Sequence, residues 1–351
     1  MKSEVLNAVD LFAGAGGITE GLKQAGFRVV LANDIDRWFS TTHRYNHPDV
    51  PFLEKDITKI SANMFKILCN GYKINLVSGG PPCQGFSMTG LRDRGDPRNT
   101  LFRYYVKILG VLRPEMFFME NVKGMLSMKA PDGSAVIDQV MDAFRALKGY
   151  TVGYKVFNFA DYGVPQTRQR VIFIGNRIGY SFEETVPPPT HSPEGGVTLD
   201  GKKLEPYVKV GPTIMPILGE TCLANNEPMG HSVIVSERMG LVKEGKMLPK
   251  DVPKNKRYLL KNNFQTIYQR LDRNKPAPTI VPGHMAFPIH PTENRSLTVR
   301  EAARIQTFPD TYKFFGPKIS QGLEVGNAVP PLFAYKLGLH LKSLILKRLT
   351  K

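Results

Sequence analysis

Ala8-Val9-Asp10-Leu11-Phe12 is a short apolar run that breaks into Ala13-Gly14-Ala15-Gly16-Gly17, and residues 18–26 follow with helical spacing and a terminal glycine. A strand, a glycine turn and a helix in that order form a βα unit. Glycines at such a turn let the backbone approach a ligand in the crevice beyond the strand's carboxyl end. A second apolar run, 28–34, ends in Asp34, 20 residues after Gly14. A carboxylate at that place can accept hydrogen bonds from ribose hydroxyls. A dinucleotide fingerprint would need a small residue at position 19, where Thr19 stands. The G-x-G-G pattern instead suits a nucleoside that lacks a pyrophosphate.

Outward from this unit the alternation continues. Further strands are expected over 52–57, 75–80, 115–121, 151–158 and 170–176, with helices over 38–45, 100–112 and 135–147. Strands alternating with helices at this spacing predict a mostly parallel sheet with helices on both faces. After about residue 177 the texture changes, at Pro187-Pro188-Pro189 and Glu194-Gly195-Gly196. A final amphipathic helix is expected over 332–349, with basic residues toward its carboxyl end as the helix dipole prefers.

The chain has 351 residues, more than one typical core carries, with 47 Lys and Arg against 31 Asp and Glu and a net charge of +16. That excess favours a polyanionic partner, nucleic acid before an anionic membrane. Residues 243–275 hold ten basic residues against three acidic, with Tyr258, Phe264 and Tyr268 interleaved. A solvated charged face and a nucleic-acid surface both fit such a window. No apolar run approaches the roughly 18 residues of a membrane span, and residues 1–10 hold no long apolar segment of a secretory signal. Three scattered cysteines, Cys69, Cys83 and Cys222, exclude a disulfide framework and fit a reducing cytoplasm. The seven histidines are dispersed, so no metal is expected, and His231, His284 and His290 read as loop or surface residues rather than ligands.

Of the cysteines, Cys83 has the distinctive setting. Gly79-Gly80-Pro81-Pro82-Cys83-Gln84-Gly85-Phe86-Ser87 follows the strand expected over 75–80. Two prolines hold the loop's shape, and free backbone N–H groups ahead of a turn or helix lower a thiol pKa. Glu120 closes the apolar run Met116-Phe117-Phe118-Met119, a setting in which desolvation would keep a proton on the acid. Arg168 and Arg170, two apart in extended chain, would face one side and clamp a phosphate or carboxylate.

Taken together and in this order, these segments resemble the DNA (cytosine-5) methyltransferases. DLFAGAGG is similar to that family's cofactor loop, GGPPCQGFS to its nucleophile loop, MENV to its catalytic-acid segment and QTRQR to its substrate-arginine segment. Residues 295–304 and 326–331 resemble its last two shared segments. The resemblance covers 8–177 and about 269–335, and implies an α/β fold: a Rossmann-like, S-adenosylmethionine-dependent methyltransferase sheet with a second, smaller target-recognition domain. The expected catalytic domain is 1–180 with 322–351, and the recognition domain is 181–321 with its variable region near 180–265. By motif position Cys83 is the nucleophile, Glu120 the acid at the base, and Arg168 and Arg170 place the cytosine and the Cys loop. Phe12, Gly14, Gly16, Asp34, Ile35, Asp56, Ile57, Pro82, Leu101 and Asn327 would line the S-adenosylmethionine pocket, which after transfer holds S-adenosylhomocysteine. Ile35 departs from the family, many members of which place an aromatic there to pack on adenine.

The implied reaction is methyl transfer to C5 of a cytosine flipped out of a specific short site in duplex DNA. A monomer in the cytoplasm of a prokaryote, at the nucleoid, and a restriction-modification role are expected. A tRNA (cytosine-5) methyltransferase is the alternative; Ser87, where that branch more often has threonine, favours DNA. A catalytically dead DNA-binding relative is a third reading, against which intact Cys83 and Glu120 stand. Neither the target sequence nor the base that removes the C5 proton is legible.

Overall fold

The computed structural model describes residues 5–82, 100–249, 268–281 and 287–349. It divides into two compact units, one of residues 1–158, 169–188 and 329–351, the other of residues 159–168 and 189–328. Along the chain the first unit contributes β1 (Asn7–Leu11), α1 (Gly17–Gln24), β2 (Arg28–Asp34), α2 (Arg37–Asn46), β3 (Phe52–Glu54), α3 (Ala62–Leu68), β4 (Ile74–Gly79), α4 (Leu101–Leu112), β5 (Met116–Val122), α5 (Val136–Arg145) and β6 (Thr151–Asn158). A two-residue strand of the second unit, β7 (Gln166–Thr167), precedes β8 (Gln169–Asn176) and the short α6 (Phe182–Thr185) of the first.

The first unit's sheet has the order β3-β2-β1-β4-β5-β8-β6. Strands β3, β2, β1, β4 and β5 pair in parallel. Strand β8 runs antiparallel to both of its neighbours, so the sheet is mixed at that side. The third strand ends at Glu54, earlier than the expected 57, because Asp56 turns the chain: its Oδ1 accepts from Thr58 N–H at 2.9 Å and Thr58 Oγ1 at 2.8 Å, capping a 3-10 turn at Ile57–Lys59.

Side chains alternate along β1. Val9 and Leu11 enter the core against α3, α4 and α5, where Phe117 and Phe144 stack with ring centroids 4.9 Å apart. Asp10 therefore faces the side covered by α1 and α2. On that side α1 lies against the last helix, α11 (Pro331–Leu349), closely enough that Gly21 has no room for a Cβ: one would sit 2.4 Å from Pro331 O.

The second unit holds a three-stranded sheet, β10 (Glu194–Val197), β11 (Lys203–Pro206) and β9 (His191–Ser192), and pairs β7 with β12 (Ala277–Pro278). Among the described residues its helices are α7 (Val210–Ile214), α8 (Val233–Gly240), α9 (Val299–Ile305) and α10 (Lys318–Asn327). Arg270 organises one cluster from within, donating to the carbonyls of Met239, Val242, His290 and Glu293. Helix α9 starts with a capping box of Thr298 and Glu301. His290 is no surface residue: it is fully buried, and its Nδ1 accepts from the N–H groups of Thr292 and Glu293. His231 bonds Ser296, and His284 lies outside the described residues. No helix among the described residues is long and apolar enough to cross a membrane.

Gly21→Ala is expected to force α1 and α11 apart and to cost about 1–3 kcal/mol of stability, measurable by denaturant unfolding. A second expectation concerns Asp10. Burial raises its carboxyl pKa to about 6, against the lowering effect of its hydrogen bonds. The folded chain thus holds this proton more tightly than the unfolded chain, so the group favours folding at acid pH. That contribution of about 3 kcal/mol is lost as pH rises from about 4 to about 6. The stability of Asp10→Asn relative to the wild type should therefore rise across that window; an unchanged difference would sink the assignment.

Candidate active site

The turn after β1 depends on left-handed backbone. Phe12, Gly14 and Gly16 have φ of 54°, 57° and 99°. Glycine adopts this conformation freely, whereas Phe12 does so at a cost of about 1 kcal/mol or more. The turn is fastened to the end of β2, where Gly14 N–H donates to Asp34 Oδ2 at 2.8 Å. Asp34 Oδ1 accepts from the N–H groups of Ile35 and Asp36 at 2.8 and 3.0 Å. Burial raises the Asp34 pKa, and these three donors oppose the shift. A carboxylate has about four acceptor positions, which leaves capacity for a ligand hydroxyl.

This arrangement fits a nucleoside without phosphate. The glycine-turn N–H that a pyrophosphate would use is already bonded to a carboxylate, whose charge would repel a phosphate. Beside it Ile35 is 64% exposed, an apolar surface open to a planar base. Asn33 Nδ2 donates to the carbonyls of Leu53 and Lys55, holding the segment that leads to Asp56 and the buried Ile57. Leu101 opens α4, half-buried against the core.

At the carboxyl end of β5, Glu120 Oε1 lies 2.9 Å from Arg170 Nε, and both side chains are nearly buried. The reversed direction of β8 creates this pair. In its register Glu120 faces Ile172 and Val122 faces Arg170, so Glu120 and Arg170 are diagonal neighbours. Burial lowers the Arg170 pKa while Glu120 raises it, and the guanidinium remains the charged partner of the carboxylate. The dry crevice expected around Glu120 thus contains a cation.

The segment that leads to Cys83 runs against the same place. Asn121 Nδ2 donates to Pro81 O at 3.2 Å, and Asn121 Oδ1 accepts from Val122 N–H at 2.8 Å. A Cβ on Gly80 would stand 3.3 Å from Glu120 Oε2. Pro82 is described, half-buried; Cys83 lies outside the described residues.

Arg168 and Arg170, expected to face one side, contact different partners. Arg168 belongs to the second unit, where it is 1% exposed and its Nη1 donates to Ile280 O at 3.2 Å. Asn327, exposed, ends α10 in that same unit. Among the described residues no group of three or more His, Cys, Asp or Glu side chains could hold a metal ion.

Two groups escaped sequence reasoning. Asn121 was visible only as the neighbour of Glu120, and nothing in its residue type points to Pro81. Asp10 had a signal, an acid inside an apolar strand. Its Oδ2 accepts from Thr19 Oγ1 and its Oδ1 from Ser78 Oγ, both at 2.8 Å.

Comparisons with known proteins identify the family. Residues 6–343 match the family model described as C-5 cytosine-specific DNA methylase. The chain is 39% identical over 333 residues to the Type II methyltransferase M1.HphI of Haemophilus parahaemolyticus, covering 94% of this chain and 84% of the relative. It is 35% identical over 368 residues to the Type II methyltransferase M.DdeI of Desulfomicrobium norvegicum, covering 95% and 87%. Among solved structures, a candidate DNA modification methyltransferase encoded within an E. coli prophage aligns with a TM-score of 0.72 and 27% identity, covering 97% of this chain and 99% of that one. The chain therefore belongs to the C-5 cytosine-specific DNA methylases.

Proposed function

We propose that this chain methylates C5 of a cytosine flipped out of a specific short site in duplex DNA, as the modification enzyme of a type II restriction-modification system. The observation that carries the chemistry is the Glu120–Arg170 pair set against Gly80 and Pro81, just before Cys83.

C5 of cytosine is a poor nucleophile. Addition of the Cys83 thiolate to C6 turns the ring into an enamine and makes C5 nucleophilic, splitting one hard step into easier ones. Glu120, oriented by Arg170, shares a proton with N3 at the edge of the ring, and that proton neutralises the negative charge that thiolate addition places there. Asn121 keeps the proline segment in place through Pro81 O. Once C5 carries the methyl group, loss of its proton re-forms the C5–C6 double bond and expels the Cys83 thiolate.

S-adenosylmethionine supplies an electrophilic sulfonium methyl when bound. Phe12, Gly14, Gly16, Asp34, Ile35, Asp56, Ile57, Pro82 and Leu101 are proposed to hold it, with Asp34 taking the ribose hydroxyls and Ile35 packing on the adenine. Arg168 and Asn327 enter the proposal by their motif positions alone. The residues near 180–265, with the basic window 243–275 that overlaps their end, are proposed to read the target. Lys and Arg contacts to phosphate offset the few kcal/mol needed to unstack a base.

Bisulfite sequencing of DNA from a host expressing the gene should show protected cytosines in one short sequence context. Cys83→Ala should abolish that protection, and protection that persists would remove Cys83 from the mechanism. Labelling confined to tRNA in an assay offering both substrates would overturn the DNA assignment. Separately, Glu120→Gln is expected to lower kcat by about 10²–10⁴-fold, the usual range for loss of a positioned acid, with the cofactor Kd unchanged. Arg170→Lys, which cannot reproduce the guanidinium geometry, should fall between the two.

A further inference from the structure

Asp10 lies at the buried heart of the first unit's polar contacts, yet the proposed reaction makes no use of it. The carboxylate is fully buried and sits one residue before the end of β1. Its two oxygens divide between two elements. Oδ2 takes the hydroxyl of Thr19, in the first turn of α1 just after the glycine turn; Oδ1 takes the hydroxyl of Ser78, the residue before Gly79-Gly80-Pro81-Pro82. Thr19 is itself held. His43 of α2, also buried, places Nε2 3.0 Å from Thr19 Oγ1. Since Thr19 spends its proton on Asp10, it accepts from His43 Nε2–H, and the imidazole is the neutral Nε2–H tautomer, with Nδ1 making no hydrogen bond. Burial depresses the His43 pKa, which keeps the ring in that neutral form.

A fully buried charge costs several kcal/mol unless hydrogen bonds compensate it, and an apolar residue at position 10 would avoid that cost. What the carboxylate does that an apolar side chain cannot is accept from two directions at once.

We propose that Asp10 is a positioning residue that anchors the cofactor turn and the nucleophile segment separately, holding α1 through Thr19 and β4 through Ser78. The two hydroxyls are then separable handles, Thr19 acting on cofactor binding and Ser78 on the reacting cysteine. The inference rests on the functional reading above, which places the cofactor at the glycine turn and the nucleophile at Cys83.

The test separates the two handles. Kd for S-adenosylhomocysteine is measured by calorimetry on the full chain without DNA, and kcat is measured at saturating cofactor on the site mapped by bisulfite sequencing. Thr19→Val should raise the Kd about tenfold, the equivalent of one hydrogen bond, and leave kcat within about twofold. Ser78→Ala should leave the Kd unchanged and lower kcat by about tenfold. The hydroxyl-retaining Thr19→Ser and Ser78→Thr should restore both values. Asp10→Asn, isosteric with the native residue, carries the test if either hydroxyl variant does not fold; it should raise the Kd and lower kcat together. A merely structural role shifts the melting temperature alone. Wild-type Kd and kcat in the folded variants, or the same change in both hydroxyl variants, overturns the proposal. Failure of the reaction assignment reads differently, as methylation retained by Cys83→Ala whatever the positioning variants do.

Discussion

Parallel pairing brings the carboxyl ends of β2, β1, β4 and β5 to one edge of the sheet, and the chemistry of the first unit depends on that geometry. Asp34, the glycine turn, the Gly80-Pro81-Pro82 segment and Glu120 all follow or close one of these strands. Residues as far apart in sequence as Asp10 and Ser78 therefore meet. Strand β8 adds what a purely parallel sheet cannot. Running the other way, it starts at the edge where its neighbours end, so Arg170 near its amino end meets Glu120 near the end of β5.

The same edge concentrates polar groups that a core does not tolerate unpaired. Each is compensated locally: Asp34 by three backbone N–H groups, Asp10 by two hydroxyls, Glu120 by a guanidinium. Paired carboxylates of this kind favour one arrangement over many, because an alternative that breaks the pairing leaves a buried charge without its donors. The left-handed Phe12 belongs to the same economy, a small backbone strain held by the bonds from Ala13 N–H to Asn33 O and from Gly14 N–H to Asp34.

Much of this was legible in residues 8–34, where hydrophobic period and glycine spacing are local properties. The run Ala8-Val9-Asp10-Leu11-Phe12 is a strand by its apolar content, and the glycines mark where the backbone must turn. Legibility failed where a non-local partner decided the outcome. The strand over 52–57 stops at Glu54 because Asp56 captures Thr58, although Ile57 is as apolar as any strand residue. The spacing of Arg168 and Arg170 predicts one shared target, but the chain passes from the second unit into the first between them, and each guanidinium finds a different partner. His290 looks like a loop histidine by its neighbours in sequence, and is buried because Thr292 and Glu293 fold their N–H groups onto its ring.

By itself the sequence determined the α/β class and the glycine turn with its acid 20 residues on, because these follow from residue type and spacing along one chain, and its motifs carried the resemblance that names Cys83 and Glu120 as candidates. Only the tertiary structure decided which groups touch: Gly14 with Asp34, Glu120 with Arg170, Asn121 with Pro81, and Asp10 with both Thr19 and Ser78. Strand direction, register and the close approach of α1 to α11 set those contacts. They arise from pairing between distant segments, and no local pattern encodes such pairing.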